Sequence, residues 1–165
     1  MNPLSFRLRS VALFERPVTL RLPFRFGAAT VTQCPQAFVR VELEVGGRTF
    51  TGASAELMVP KWFDKSPQFT HAQNFEQLRE ALRTARAAYL DDTGSTSPFE
   101  RSQTAGDAAI ATGVSRGLPR LAAQFGPALL DKAIADASLR AAGLGWVDGL
   151  AAGVWTRSLH RAMFM

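Results

Sequence analysis

Gly46 and Gly47 separate two short alternating runs, and that arrangement restricts the fold more than anything else in the chain. Ala37, Val39, Val41, Leu43 and Val45 share one side of an extended segment, and Arg48 to Ala55 returns as its partner. A two-residue connection leaves no room for a crossover, so the two strands run antiparallel. Both central positions of the favoured hairpin turn want positive φ, which glycine adopts without strain. Upstream, Phe6 to Phe14 also alternates, with Phe6, Leu8, Ser10, Ala12 and Phe14 on one face. Pro17 interrupts it, and a second extended piece runs from Val18 to Leu22. A proline suits a strand edge or a break and not a central ladder. Phe24 to Gln36, with Gly27 and Pro35, reads as a loop. The expectation is a three-stranded antiparallel meander.

After residue 70 the period changes from two to that of a helix. Asn74 is a candidate N-cap, followed at helical spacing by Phe75, Leu78, Leu82, Ala85 and Tyr89. A polar loop, Asp91 to Ser97, leads to Pro98, placed as a first-turn proline of a second helix that continues through Ala108 to Arg116. Gly117 and Pro119 punctuate, and a short helix through Phe125 ends at Gly126. Pro127 opens the next, with Leu130, Ala133, Ile134, Ala137 and Ala141 on one stripe, ended by Gly143 and Gly145. Strands first and helices afterwards give an α+β fold: a three-stranded antiparallel meander followed by a bundle of three to four helices.

Charge narrows the function. The formal net charge is +5 with pI near 10.3, and all but three of the 19 basic residues (Lys61, Lys65 and Lys132) are arginine. Acidic residues interleave with them, as in Arg40-Val-Glu-Leu-Glu44, which suits a solvated surface and not a phosphate-tracking stripe. Nucleic acid is therefore not an expected partner. No apolar run approaches the roughly 18 residues of a membrane span, and the start lacks a leader-like apolar core, so a cytoplasmic setting is expected without a membrane partner. Cys34 is the only cysteine and reads as a small apolar residue. Asp91-Asp92 reads as a solvated pair in a polar loop and not as a metal site.

Two segments stand out between the strands and at their end: Pro23-Phe-Arg-Phe-Gly27 and Ser54-Ala-Glu-Leu-Met-Val-Pro-Lys-Trp-Phe-Asp-Lys65. Both project from the same end of the meander. The order of meander, two loops, helices and the alanine-rich helix carrying Asp136 resembles the amino-terminal capping domain of the enolase superfamily. The Phe26-Gly27 pair and the Glu56 to Lys65 loop place the likeness on the mandelate racemase and muconate lactonizing enzyme side. The resemblance spans about Phe6 to Ala152, so residues 1–153 form the expected capping domain. Residues 154–165 fall where the family's (β/α)8 barrel begins.

The resemblance implies a lid that selects carboxylate substrates. On that basis Phe24 to Gln33 is the first specificity loop and Ala55 to Lys65 the second. Arg25 and Lys61 would meet a carboxylate, for which arginine's planar fork is suited, and Phe26 and Trp62 would supply apolar walls. Arg25 and Lys61 equally fit exposed loop charges, and Trp62 and Phe63 equally fit packing against the domain. Leu57 and Val59 are the core positions expected in the second loop. The family's magnesium and its lysine or histidine base belong to the barrel, which needs on the order of 200 residues; fewer than twenty follow Trp146. No catalytic residue, metal ligand or cofactor is therefore expected in this chain. Lys132 and Asp136 do not replace them, and Asp136 is expected to cap or pair within the fold. The expected partner is a second copy, giving a homodimer, or a barrel-containing protein. The alternative is a stand-alone binding module, or a truncated product with no activity.

Overall fold

The computed structural model describes residues 4–27, 29–91 and 93–154. Three strands, β1 (Arg7–Phe26), β2 (Ala29–Val45) and β3 (Arg48–Leu57), form one antiparallel sheet in the order β1-β2-β3. The helices follow: α1 (His71–Asp91), α2 (Pro98–Arg101), α3 (Asp107–Ser115), α4 (Arg120–Ala123), α5 (Phe125–Ala142) and α6 (Trp146–Ala151). The fold is α+β, a meander followed by helices, as the change of period predicts. The sheet's inner face packs on α1 and α5, which also touch each other, and α3 lies against α1.

Strand β2 follows its expected pattern, with Ala37, Val39, Val41 and Leu43 all buried. Strand β1 does not. Leu8 pairs with Leu43 and Ser10 with Glu42, so Arg9 is an extra residue in a β-bulge. The bulge reverses the alternation, and Val11 and Leu13 take the inner positions opposite Val41 and Val39. Phe14, which strict alternation puts on the same face as the buried Phe6 and Leu8, instead pairs with Phe38 on the outer face and is 53% exposed. There the Arg40 guanidinium lies over the Phe14 ring and that of Arg16 over Phe38, so cations shield the aromatic surface.

The segment Phe24 to Gln36 is also corrected: residues 24–26 and 29–36 lie in β1 and β2 and not in a loop. Pro17 and Pro35 sit directly opposite each other in a continuous β1–β2 pair. The Pro35 carbonyl accepts from Met58 N at 2.8 Å, so its backbone polar groups point toward β3. The missing N–H of Pro35 therefore takes nothing from the β1 side. Beyond the end of β3, β1 and β2 continue as a two-stranded arm that turns at Gly27, with a register irregularity between Thr19 and Phe24.

Helix α1 begins earlier than Asn74. Thr70 Oγ1 accepts from Gln73 N at 3.3 Å and Gln73 Oε1 accepts from Thr70 N at 2.7 Å, a reciprocal capping box. Asn74 is instead buried and accepts from Lys61 N at 3.2 Å. Ser97 caps α2 through the same device with Glu100, with Pro98 in the first turn as expected. Between α2 and α3 the chain makes one π-helical turn over Ser102–Gly106. Gly126 does not end a helix: only Gln124 separates α4 from α5, and Gly126 lies in the first turn of α5.

Helix α5 lies hard against the edge of β3. A Cβ on Gly52 would stand 2.2 Å from Ala133 O and 2.4 Å from Ala137 N. Ser54 Oγ donates to Leu129 O at 2.7 Å, and Asp136 Oδ2 accepts from Ala53 N at 3.0 Å. Asp136 thus pairs within the fold, as expected, by satisfying a strand-edge N–H.

Candidate functional site

The sheet brings the two distinguished segments to one end. Gln36 pairs with Leu57 where β3 stops, so the β1–β2 arm and the chain after β3 leave the sheet together. Phe26 and Trp62 meet edge to face, ring centroids 5.3 Å apart, and Phe24 stacks tilted on Phe26 at 5.3 Å. Phe24 and Trp62 nevertheless remain 45% and 50% exposed. Phe63 turns the other way and packs edge to face on Phe125 at 5.1 Å. Of the two adjacent aromatics, one therefore serves the core side and one faces outward.

Behind these rings lies a groove of ≈ 480 Å³ between the two segments and helices α4 and α5. Its walls are apolar, supplied chiefly by Phe24, Val59, Trp62, Leu121, Phe125 and Ala128. Its polar side chains are Gln124, Glu56 and Lys132, and the last two form an ion pair at 2.8 Å. That pair joins the end of β3 to α5. Leu121, at 51% exposure, makes a third half-open apolar wall. The size falls within the range of small-molecule sites, which are mostly apolar with few polar groups.

The four residues singled out from the sequence divide unequally. Phe26 and Trp62 are in contact and belong to the same aromatic cluster. Arg25 alternates with Phe24 and Phe26 along the strand, so its side chain leaves from the opposite face of the arm; its Nε donates to Thr30 Oγ1 at 3.3 Å across the hairpin. Lys61 adopts φ 62°, in the left-handed region. Its ammonium donates to the carbonyls of Ser66, at 2.6 Å, and Phe69, which ties the second segment to itself. The structure thus joins the two apolar residues and does not bring the two cations to them.

Several features of the site have no clear sequence signal. Met58 is fully buried and Pro60 buried, while Leu57 and Val59, the expected core positions, are only half-buried and line the groove. Lys132 and Glu56 are separated by a helical array in sequence, so only the docking of α5 on β3 pairs them. Asp64 is buried and accepts from Ser66 N at 2.9 Å and Gln77 Nε2 at 2.8 Å, an Asx-type turn that closes the segment.

A second polar cluster lies under the helices. Asp131 on α5 accepts from Tyr89 Oη and Ser102 Oγ, each at 2.7 Å. The π-helical turn starts at Ser102 and ends at Gly106, where a Cβ would stand 3.2 Å from Tyr89 Oη. Burial pushes the Asp131 carboxyl above the ordinary carboxylate range, while the two hydroxyl donors pull it back. Burial, then the Asp131 charge, pushes the Tyr89 phenol well up. Arg101, fully buried, donates to Tyr89 O at 3.3 Å and Gly94 O at 3.1 Å, tying the α1–α2 connection to α1. With both Asp131 oxygens bonded inside the helix layer, the cluster serves packing.

Among the described residues no three His, Cys, Asp or Glu side chains come together. No described helix is long and apolar enough to cross a membrane. The expected tail, with Trp155, Met163 and Phe164, lies outside the described residues beyond Val154, as does Asp92. Compared with known protein families, curated proteins and solved structures, the chain matches none of them.

Proposed function

We propose that this chain is a substrate-selecting lid, of the capping-domain kind found in mandelate racemase-like and muconate lactonizing-like enzymes, acting on carboxylates held by a (β/α)8 barrel. The carrying observation is the contact of Phe26 with Trp62. It joins two segments that belong to different parts of the sheet and leaves an aromatic surface half open at the end where a barrel mouth would sit. The order of elements supports the same reading: a meander with an extended arm, an ordered segment after β3, then helices closed by α5. The groove offers surfaces for binding, and its titratable groups, Glu56 and Lys132, neutralise each other. The chemistry in this reading, including the magnesium, belongs to the barrel, and the lid contributes shape and exclusion of water. The partner is that barrel, with self-association of the lid as the competing use of its exposed apolar surface. We place the lid in the cytoplasm, in keeping with the buried free thiol of Cys34, whose pKa burial pushes up.

Solvent exchange of the α-proton tests this reading. Incubated in deuterium oxide with magnesium and a carboxylate library, the chain alone should leave every α-proton in place. Combined with an enolase-type barrel lacking its own cap, it should confer exchange that falls when Phe26 and Trp62 are replaced by alanine. Exchange by the chain alone, abolished by EDTA, would overturn the lid assignment.

A further inference from the structure

The geometry points to a second binding site, a bipolar cleft between α1 and α3 that takes a linear ω-amino carboxylate. The cleft, of ≈ 570 Å³, shares no lining residue with the groove behind Phe24 and Trp62, so the inference goes beyond the lid reading and does not rest on it. Its charges are sorted by position. Arg83 and Arg116 stand at one end, around Glu80, and Asp91 stands at the other, as the last residue of α1. Glu80 is fully engaged: its Oε1 accepts from Arg116 Nη1 at 2.7 Å and its Oε2 from Arg83 Nη2 at 3.1 Å. Arg116, with a side chain 57% exposed, keeps Nε and Nη2 without an acceptor among the described residues. A carboxylate is the ligand group that completes such a fork. The Asp91 side chain likewise makes no hydrogen bond or ion pair with a described residue. It closes a helix of 21 residues with no basic residue in its last turn, so the macrodipole and the carboxylate both favour a cation there. Arg101 reaches that end of α1 from the buried side, through Tyr89 O. Between the two ends the floor consists of the methyl groups of Ala87, Ala88 and Ala108. Methylenes can lie on it, whereas the amides of a peptide would lose water and find few partners beyond the Thr112 hydroxyl. Arg116 Nη1 lies 3.4 Å from Thr84 Oγ1, which sets the guanidinium two turns of α1 from Asp91. The step from Thr84 to Asp91 is about 10 Å of helix rise, a span that roughly five methylenes cover with a carboxylate at Arg116 and an ammonium at Asp91.

The probe is 6-aminohexanoate, titrated into the full chain at low salt and followed by the Ala88 and Ala108 amide resonances. Hexanoate and hexylamine each carry one of its charges, glycine carries both too close together, and triglycine spans a similar distance with amides. The probe should shift both resonances saturably, with a Kd on the order of millimolar. Each comparison compound should bind at least about fivefold more weakly, and added salt should weaken the probe. Asp91→Asn should lower the affinity for the probe about fivefold and leave that for hexanoate unchanged. Arg116→Gln should do the same and leave hexylamine unchanged. Both positions are exposed, so the far-ultraviolet circular dichroism should not change. The lack of a saturable shift with 6-aminohexanoate overturns the inference. So does hexanoate, hexylamine or glycine binding as tightly, or an affinity that survives both substitutions. Triglycine binding as tightly overturns the ω-amino carboxylate class. None of these results bears on the exchange assay with and without a barrel, which alone decides the lid reading.

Discussion

At the scale of single residues, Asp131 shows how one buried acid can oppose the rest. Its carboxyl is raised by burial, so the folded chain holds that proton more tightly than the unfolded chain. Its contribution is therefore fully present below the ordinary aspartate pKa and is lost as pH rises through the raised value. Glu15, Glu76 and Glu80 have the opposite sign. Hydrogen bonds from Arg79, Arg83 and Arg116 respectively hold them below the usual range, so their contribution is present above it and lost as pH falls. Asp131→Asn keeps an acceptor for Tyr89 and removes the titration. Its urea midpoint should match that of the wild type near about pH 4 and exceed it toward about pH 7. Parallel curves would show that Asp131 is not desolvated. Asp131→Ala, in contrast, strands the hydroxyls of Tyr89 and Ser102 and should cost about 2 kcal/mol near about pH 4, read from urea unfolding, with the cost shrinking toward about pH 7 because it too removes the titration.

At the scale of elements, the bulge at Arg9 decides which residues of β1 enter the core. Removing Arg9 restores strict alternation while leaving Leu8, Val11 and Leu13 on the inner face, and it sacrifices only an exposed ion pair with Glu44. Deletion of Arg9 should therefore cost less than about 1 kcal/mol. Deletion of Ala12 cannot be absorbed in that way, because either Val11 or Leu13 must leave the core whichever register the strand adopts. A loss of about 2 kcal/mol or more in chemical denaturation is expected. Equal losses for the two deletions would mean that the bulge itself supplies the twist the sheet needs. The docking of α5 on β3 is just as constrained. Gly52→Val places side-chain carbon where Ala133 O and Ala137 N already stand, and both are backbone atoms of a helix that cannot yield locally. It should lower stability by about 3 kcal/mol or more, or prevent folding, and it should expose Asp136 and Lys132 to exchange and proteolysis.

At the scale of the whole molecule, two groups stand out among the uncovered apolar side chains. Phe24, Trp62 and Leu121 ring the groove, while Trp146, Val147 and Leu150 crowd on the short α6, where Val147 is 80% exposed. Covering such surface contributes about 25 cal/mol per Å² before the costs of association are subtracted. The chain is expected to self-associate through its helical half, with the apparent mass in sedimentation velocity rising with concentration. Val147→Lys combined with Leu150→Lys should shift it to monomer without changing the thermal midpoint by more than a few degrees. A monomer at every concentration in the unaltered chain would show that neither patch drives association.

The sequence alone determined the strand and helix halves, the β2 face and the hairpin at Gly46-Gly47. Each is written in local periodicity and turn chemistry, which need no distant partner to act. The capping box of Thr70 and Gln73 is equally local, a Thr and a Gln three apart just before the apolar spacing that starts at Phe75. Tertiary structure decided the rest. A bulge exists only relative to a partner strand, so no inspection of Phe6 to Phe14 could reveal that Val11, and not Phe14, is buried. Two opposed prolines look like breaks until cross-strand pairing shows which way their backbone groups point. At the site, the sequence supplied the aromatic character of Phe26 and Trp62, and the shared end of the sheet brought them together. Whether a nearby cation joins them depends on the face of a strand and on the carbonyls within its reach. That is why Arg25 and Lys61 turn elsewhere while Lys132, distant in sequence, stands in the groove with Glu56.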